Sequence, residues 1–361
     1  MKRVLSVAGL ATVGVLGAST LAAAATPAQG TTSVAGVQVS ASGWATGVDN
    51  GGDVVGGYNV GGVTHGYIWH GGTFTDIGSL PGDDYTNVTG VNDRDYVVGY
   101  AGDETSASPV QAFVWHAGTM TALPGPSGED VSASYINDAG EIVGTVVPGM
   151  GQNNAVVWQN GKLTQLPGLG GTNTMATGLN RWGEVIGYAD TASGGSQAVA
   201  WINGKAVALG PGIPLAVNDE GAVLVNDAPL DGPAQAYVWD HGKTTELPVG
   251  TDAYGFNDRG EVVGLYTATG APATVGFSWQ NGTLTDLGTQ NPLAINNRGQ
   301  ILAYTYDNGL FSSDVLNHGK TIGLLPTTGT SASAAYLSDS GLIAGESEAA
   351  ANVTAWQLPN G

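Results

Sequence analysis

Self-similarity at a short period constrains this chain more than any other feature. An apolar residue, Asn-Asp, a spacer, Gly, a spacer and two or three aliphatics appear in full at Ile136-Asn137-Asp138-Ala139-Gly140-Glu141-Ile142-Val143-Gly144. The string returns from Leu179, Val217 and Phe256, with weaker copies from Val48, Val91, Ile295 and Leu337. Its Asn position falls at residues 49, 92, 137, 180, 218, 257, 296 and 338, where 49 is Asp and 338 is Ser. Steps of 38–45 residues match the length of a propeller blade, about 40–45 residues and four strands.

A second element follows each copy. Gln111-Ala112-Phe113-Val114-Trp115 leads through Ala117-Gly118 into the run 119–124, and equivalents begin near residues 65, 154, 197, 235 and 275. Seven of the nine tryptophans (Trp69, Trp115, Trp158, Trp201, Trp239, Trp279 and Trp356) occupy this one position, and Leu316 replaces it in the seventh copy. Such regularity predicts core residues rather than ligand platforms, because a Gly-rich repeat needs a large apolar side chain in each unit.

Each repeat reads as four strands. Strand a ends at the Asn, and Asn-Asp-x-Gly turns the chain into strand b. Strand c carries the Trp, and a two-residue turn (Asn160-Gly161, Asn203-Gly204, His241-Gly242, Asn281-Gly282, His318-Gly319) leads into strand d. These dipeptides supply the positive φ of tight hairpins. The Asn-Asp-x-Gly strings lack the alternating carboxylates of a calcium loop and are read as hairpin turns. The eighth repeat stops five residues after Trp356, without a strand d. The segment Ser33–Val39 is expected to supply that strand, close the ring and remove an exposed edge. The expected fold is an all-β propeller of eight blades in one domain (26–361), with seven blades as the alternative.

Asn-Asp-x-Gly-x-Ile-Val-Gly paired with a His/Gln-Ala-Phe-x-Trp strand resembles the extracellular HAF-repeat family. The eponymous triplet survives loosely as His65-Gly66-Tyr67 and Gln111-Ala112-Phe113. The resemblance covers the chain beyond its first residues. It implies a secreted repeat protein and no defined activity.

The N-terminus agrees with export. Met1-Lys2-Arg3 precedes an uncharged stretch from Val4 to Ala25, the pattern of a secretory signal peptide cut after Ala23-Ala24-Ala25. Cleavage after Ala28 and an uncleaved anchor are the alternatives. The remaining chain is expected to have no membrane span and to be a monomer. There is no Cys, which excludes thiol chemistry and lipid attachment. Ten basic residues against 30 acidic ones exclude a phosphate-binding surface and hence a nucleic-acid partner.

Strand order partitions the charge. The a–b and c–d turns share one face of the ring; the b–c loops and d–a crossovers share the other. Arg94, Arg181, Arg259 and Arg298 fall in a–b turns, and Lys162, Lys205, Lys243 and Lys320 follow c–d turns. The variable loops hold carboxylates alone: Asp83, Asp84, Asp103, Glu104, Glu129, Asp130, Asp252 and Asp307 are the candidate ligand-binding residues. Asp190, Asp227, Asp231, Asp314, Glu346 and Glu348 are assigned to the same face. A single-sign surface attracts cations and steers basic partners. The adjacent pairs Asp83-Asp84, Asp103-Glu104 and Glu129-Asp130 are where calcium could bind; no other cofactor and no catalytic residue is expected. Four histidines (His70, His116, His241 and His318) recur at c–d turns and read as turn residues. His65, where a variable loop enters strand c, has no evident partner.

Two functions fit. The first is a secreted, non-enzymatic scaffold that binds an extracellular protein or polymer of cationic character through the acidic face. The second is a carbohydrate-active hydrolase or lyase with two loop carboxylates at the channel mouth, which would have to lie about 5–10 Å apart.

Overall fold

The computed structural model describes residues 32–359 apart from 104–107, 150, 228–232, 269–272, 308–309 and 348–351. The signal-like segment lies outside the described residues. Among them there is no helix, and hence none long and apolar enough to cross a membrane. Eight sheets of the order a-b-c-d form an eight-bladed β-propeller, with blades at 44–76, 85–122, 130–165, 170–210, 213–246, 251–288, 291–325 and 332–357. Each strand a packs against strand a of both neighbouring blades, so these strands form the innermost ring.

Closure is more elaborate than the single expected strand. The N-terminal segment splits into β1 (Thr32–Ala35) and β2 (Val37–Ser40). β2 pairs antiparallel with Asn352–Gln357 and completes blade 8 as expected, while β1 adds a fifth, parallel strand to the outer edge of blade 7. Gly36 sits at the branch. A Cβ there would lie 2.4 Å from Thr354 and 2.9 Å from the Trp356 indole nitrogen, so only glycine lets the chain cross between two blades. The two ends of the described chain are thereby tied to two adjacent blades.

The repeated tryptophans are core residues. All seven are buried, at 8% exposure or less, each removing roughly 150–250 Å² from water, worth about 4 kcal/mol. They also join blades. The indole N–H of Trp158 donates to Pro124 O, that of Trp201 to Pro167 O and that of Trp356 to Leu325 O, each at 2.7 Å. In every case the acceptor lies at or just past strand d of the preceding blade.

The c–d turns have the expected conformation: both central residues have positive φ, as at Asn160 (53°) and Gly161 (73°). The glycine that closes the repeat string has another cause. A Cβ on Gly187 would sit 1.9 Å from Met175 O in the facing strand a, next to a bulge between Ala176 and Gly178. Val225 and Ala303 hold this position in blades 5 and 7, where the facing residue is Pro214 or Pro292.

Candidate functional site

On the turn face, the Asn-Asp string does more than reverse the chain. Asn137 accepts the Glu141 amide at 2.9 Å through Oδ1, fixing its own turn, while its Nδ2 donates to Asn180 O of the next blade at 3.1 Å. Asn92, Asn180, Asn257 and Asn296 make the same inter-blade bond at 2.8–3.1 Å. The following residue makes a second ring: the amides of Asn50, Asp93, Asp219, Asp258, Asn297 and Asp339 each donate to a side-chain oxygen one blade on, at 2.6–3.0 Å. The last of these bonds runs from Asp339 to Asn50 and joins blade 8 to blade 1. Asparagine suits the first position because one side chain offers both an acceptor and a donor. Blade 4 interrupts the second ring, since Arg181 has no acceptor; its guanidinium instead reaches Asp219 of blade 5 and, at 3.7 Å, Asp258 of blade 6.

The strings of blades 1–4 and 8 line a cavity of about 310 Å³ on this face, bordered by Asp49, Asp93, Asp138, Asp339 and Arg181. All eight Lys and Arg among the described residues lie on this turn face, in a–b turns or at the first residue of strand d.

The loop face carries carboxylates without a compensating Lys or Arg among the described residues. Asp83 and Asp84 lie in the crossover from blade 1 to blade 2, and Asp103 follows strand b of blade 2. The Asp84 amide donates to Gly102 O at 2.9 Å, which draws the two loops together. Burial, with help from Asp103 and Asp84, pushes the Asp83 carboxyl above its ordinary value, and its Oδ2 is buried without a hydrogen-bond partner. Glu104 lies outside the described residues, as do Asp231 and Glu348.

The other candidates sit on different seams and do different work. Asp130 accepts the Val110 amide at 3.1 Å. Asp252 accepts Asn226 Nδ2 at 2.5 Å and the Tyr254 hydroxyl at 2.8 Å. Glu129 precedes strand a of blade 3, and Asp307 ends strand b of blade 7. Asp314 departs from its expected place. It sits mid-strand, half-buried, paired with Ala303 and Gly323, because strands b and c of blade 7 run on to Asp307 and Leu310 before they turn. Exposed aromatics share this side of the ring: Tyr306 is 61% exposed and packs on Phe311 at a ring separation of 4.7 Å.

The sequence reading missed a cluster built on His65. His65 Nδ1 lies 3.2 Å from Asp76 Oδ2, which also accepts the Tyr58 hydroxyl at 2.9 Å. Burial alone would raise the Asp76 carboxyl, but the Gly78 amide, Tyr58 and His65 together hold it below its ordinary value. The signal was available in part: the two-residue turn at Gly61-Gly62 places Tyr58 directly opposite His65. Asp76 enters through the c–d hairpin, where it pairs with Tyr67.

The molecule thus belongs to the class of eight-bladed propellers with two chemically distinct faces. Neither a protein-family model nor a curated protein sequence matches the chain. Solved structures similar to it include a Mycobacterium tuberculosis puromycin-hydrolyzing peptidase (13% identity, TM-score 0.48, covering 81% of this chain and 55% of that one). A prolyl endopeptidase matches at 13% identity and a TM-score of 0.50, over 70% of this chain and 45% of that one. The β-propeller domain of the Trilobed protease from Pyrococcus furiosus, described as having an open velcro topology, matches at 8% identity and 0.49, over 78% and 97%. The chain spans about half the length of the two peptidases. At these identities the likeness shows the fold alone.

Proposed function

We propose that this protein is an exported, non-enzymatic binding propeller whose acidic loop face captures a cationic extracellular protein or polymer. The observation that carries this reading is the charge partition: every Lys and Arg of the described residues lies on the turn face, and the loops opposite present carboxylates and exposed aromatic rings. A rigid scaffold holding variable loops is where binding residues usually lie, and the single-sign field gathers a basic partner. The HAF-like repeats and the signal-like N-terminus support export. The test is retention of the full chain on immobilised polylysine at low and moderate salt. D83N/D84N/D103N should weaken it several-fold, whereas neutralising Asp240 and Glu220 beside turn-face hairpins should not. Equal retention of all forms sinks the reading.

The hydrolase reading keeps one specific support. Burial raises the Asp83 carboxyl beside Asp84 and Asp103, the direction in which a general acid is tuned. Release of reducing sugar from an extracellular polysaccharide, lost in D83N, would favour it over binding alone.

A further inference from the structure

Three departures from the repeat meet at one place on the turn face, at the seam between blades 1 and 2. At the first position of the string blade 1 has Asp49 instead of Asn. Four residues on, it has Asp53, where blades 3, 4, 6 and 7 have Glu141, Glu184, Glu261 and Gln300. In those blades the Asn side chain donates to that acid or amide oxygen, at 2.8–3.4 Å. In blade 1 two carboxyls face each other, and when ionised neither has a hydrogen to give. The third departure is Asp95, which occupies the glycine position of blade 2 with φ of 60°. One oxygen from each of Asp49, Asp53 and Asp95 lies within 4.8 Å of the others, the one such group among the described residues.

The buried oxygens point to a missing partner. Asp49 and Asp53 are 5% and 0% exposed. Asp49 Oδ1 accepts the amides of Gly52 and Asp53 at 2.8 and 2.7 Å, and Asp53 Oδ1 lies 2.6 Å from His70 Nδ1. The Oδ2 atoms of both are buried and bonded to nothing, a costly arrangement for carboxylates. One imidazolium at His70 could balance at most one of the three acids, and Asp93 adds a further negative charge nearby.

We propose that Asp49, Asp53 and Asp95 form a calcium site that staples blade 1 to blade 2. All donors are oxygens, since the His70 nitrogen facing the cluster is already engaged by Asp53. Calcium accepts six to eight oxygens in flexible geometry at roughly 2.3–2.6 Å, which an irregular set of carboxylates and water can meet, whereas magnesium demands near-ideal octahedral geometry at about 2.0–2.1 Å. Asp95 is exposed, so water can complete the coordination. The staple stands beside the bond that joins blade 8 to blade 1 and is independent of the loop-face proposal.

The test uses the full chain stripped with chelator and then titrated with calcium or magnesium, followed by thermal unfolding and calorimetry. Calcium should bind one ion with Kd on the order of 10⁻⁴–10⁻³ M, as extracellular modules do, and raise Tm by about 2 °C or more at saturation; magnesium should do less. D49N restores the donor that other blades use, and D95G restores their glycine, so both should fold, keep at least the ion-free Tm and lose the calcium shift. D83N/D84N/D103N should retain it. A wild-type Tm and heat signal unmoved by calcium would overturn the site in favour of a shared proton. A shift surviving in both D49N and D95G would overturn its location.

Discussion

On the turn face, five blade seams are closed by one and the same asparagine bond, from Asn92, Asn137, Asn180, Asn257 and Asn296 to the carbonyl one repeat on. On the loop face the seams vary more: the Ala155 and Ala236 amides share one bond, to Thr174 and Thr251, while the Val110 amide pairs with Asp130 and the Asn226 amide group with Asp252. The difference separates two demands. Closure of a ring favours a repeated joint at one radius, which most blades present. Recognition requires only that each loop be held by something, which leaves its remaining groups free to vary. Stability is therefore expected to concentrate on the turn face and binding on the loop face.

The largest effect should come from the blade interior that supports both faces. Gly187→Val would drive a side chain into Met175 O, 1.9 Å from the added Cβ, and should cost about 3 kcal/mol or more by chemical denaturation. Wild-type stability there would mean that strand a of blade 4 can move aside.

Next is Asn137→Ala, which leaves the Glu141 amide and Asn180 O without their partner. A loss of about 2–3 kcal/mol is expected, against less than about 1 kcal/mol for Asp252→Asn. Equal losses would erase the distinction between the faces.

A smaller effect is expected at the interruption of the second ring. Burial alone would raise Asp219, but the Arg181 guanidinium and Asp258 hold it below its ordinary value. A depressed carboxyl contributes stability above its unfolded value, near 3.8, and loses it as pH falls further. Arg181→Ala should cost about 1 kcal/mol at neutral pH, since Arg181 is half exposed, and should flatten the decline of Tm between about pH 4 and 2. A profile parallel to wild type would show that the pair contributes nothing.

The smallest stability change belongs to D83N/D84N/D103N. Because the Asp83 carboxyl is raised by burial, its contribution falls as pH rises through its folded value, and Asn should leave neutral-pH stability unchanged or higher by under about 1 kcal/mol. Paired with weakened retention on polylysine, that result would separate binding from stability on one face.

Much of this was legible in the sequence, because blade number, strand order and turn chemistry are local. The period of the Asn-Asp string counted the blades, the Asn-Gly and His-Gly pairs located turns of positive φ, and the recurrent Trp named the core. Strand order alone assigned every Lys and Arg of the described residues to one face. What stayed hidden depends on distances across seams. The string Asn137-Asp138 reads as a turn until the next blade places Asn180 O within 3.1 Å of it. Likewise, Ser33–Val39 reads as one strand until Gly36 meets the Trp356 indole and divides it between two blades.

The acidic triad shows the same boundary most sharply. Asp49, Asp53 and Asp95 are each visible in the sequence as departures from a repeat, and nothing local relates the third to the first two. Periodicity fixes which residues a blade contains because backbone conformation and side-chain alternation act over a few residues. Only the closed ring decides which residues of different blades share a buried space, since burial and electrostatic coupling depend on separation in space rather than along the chain.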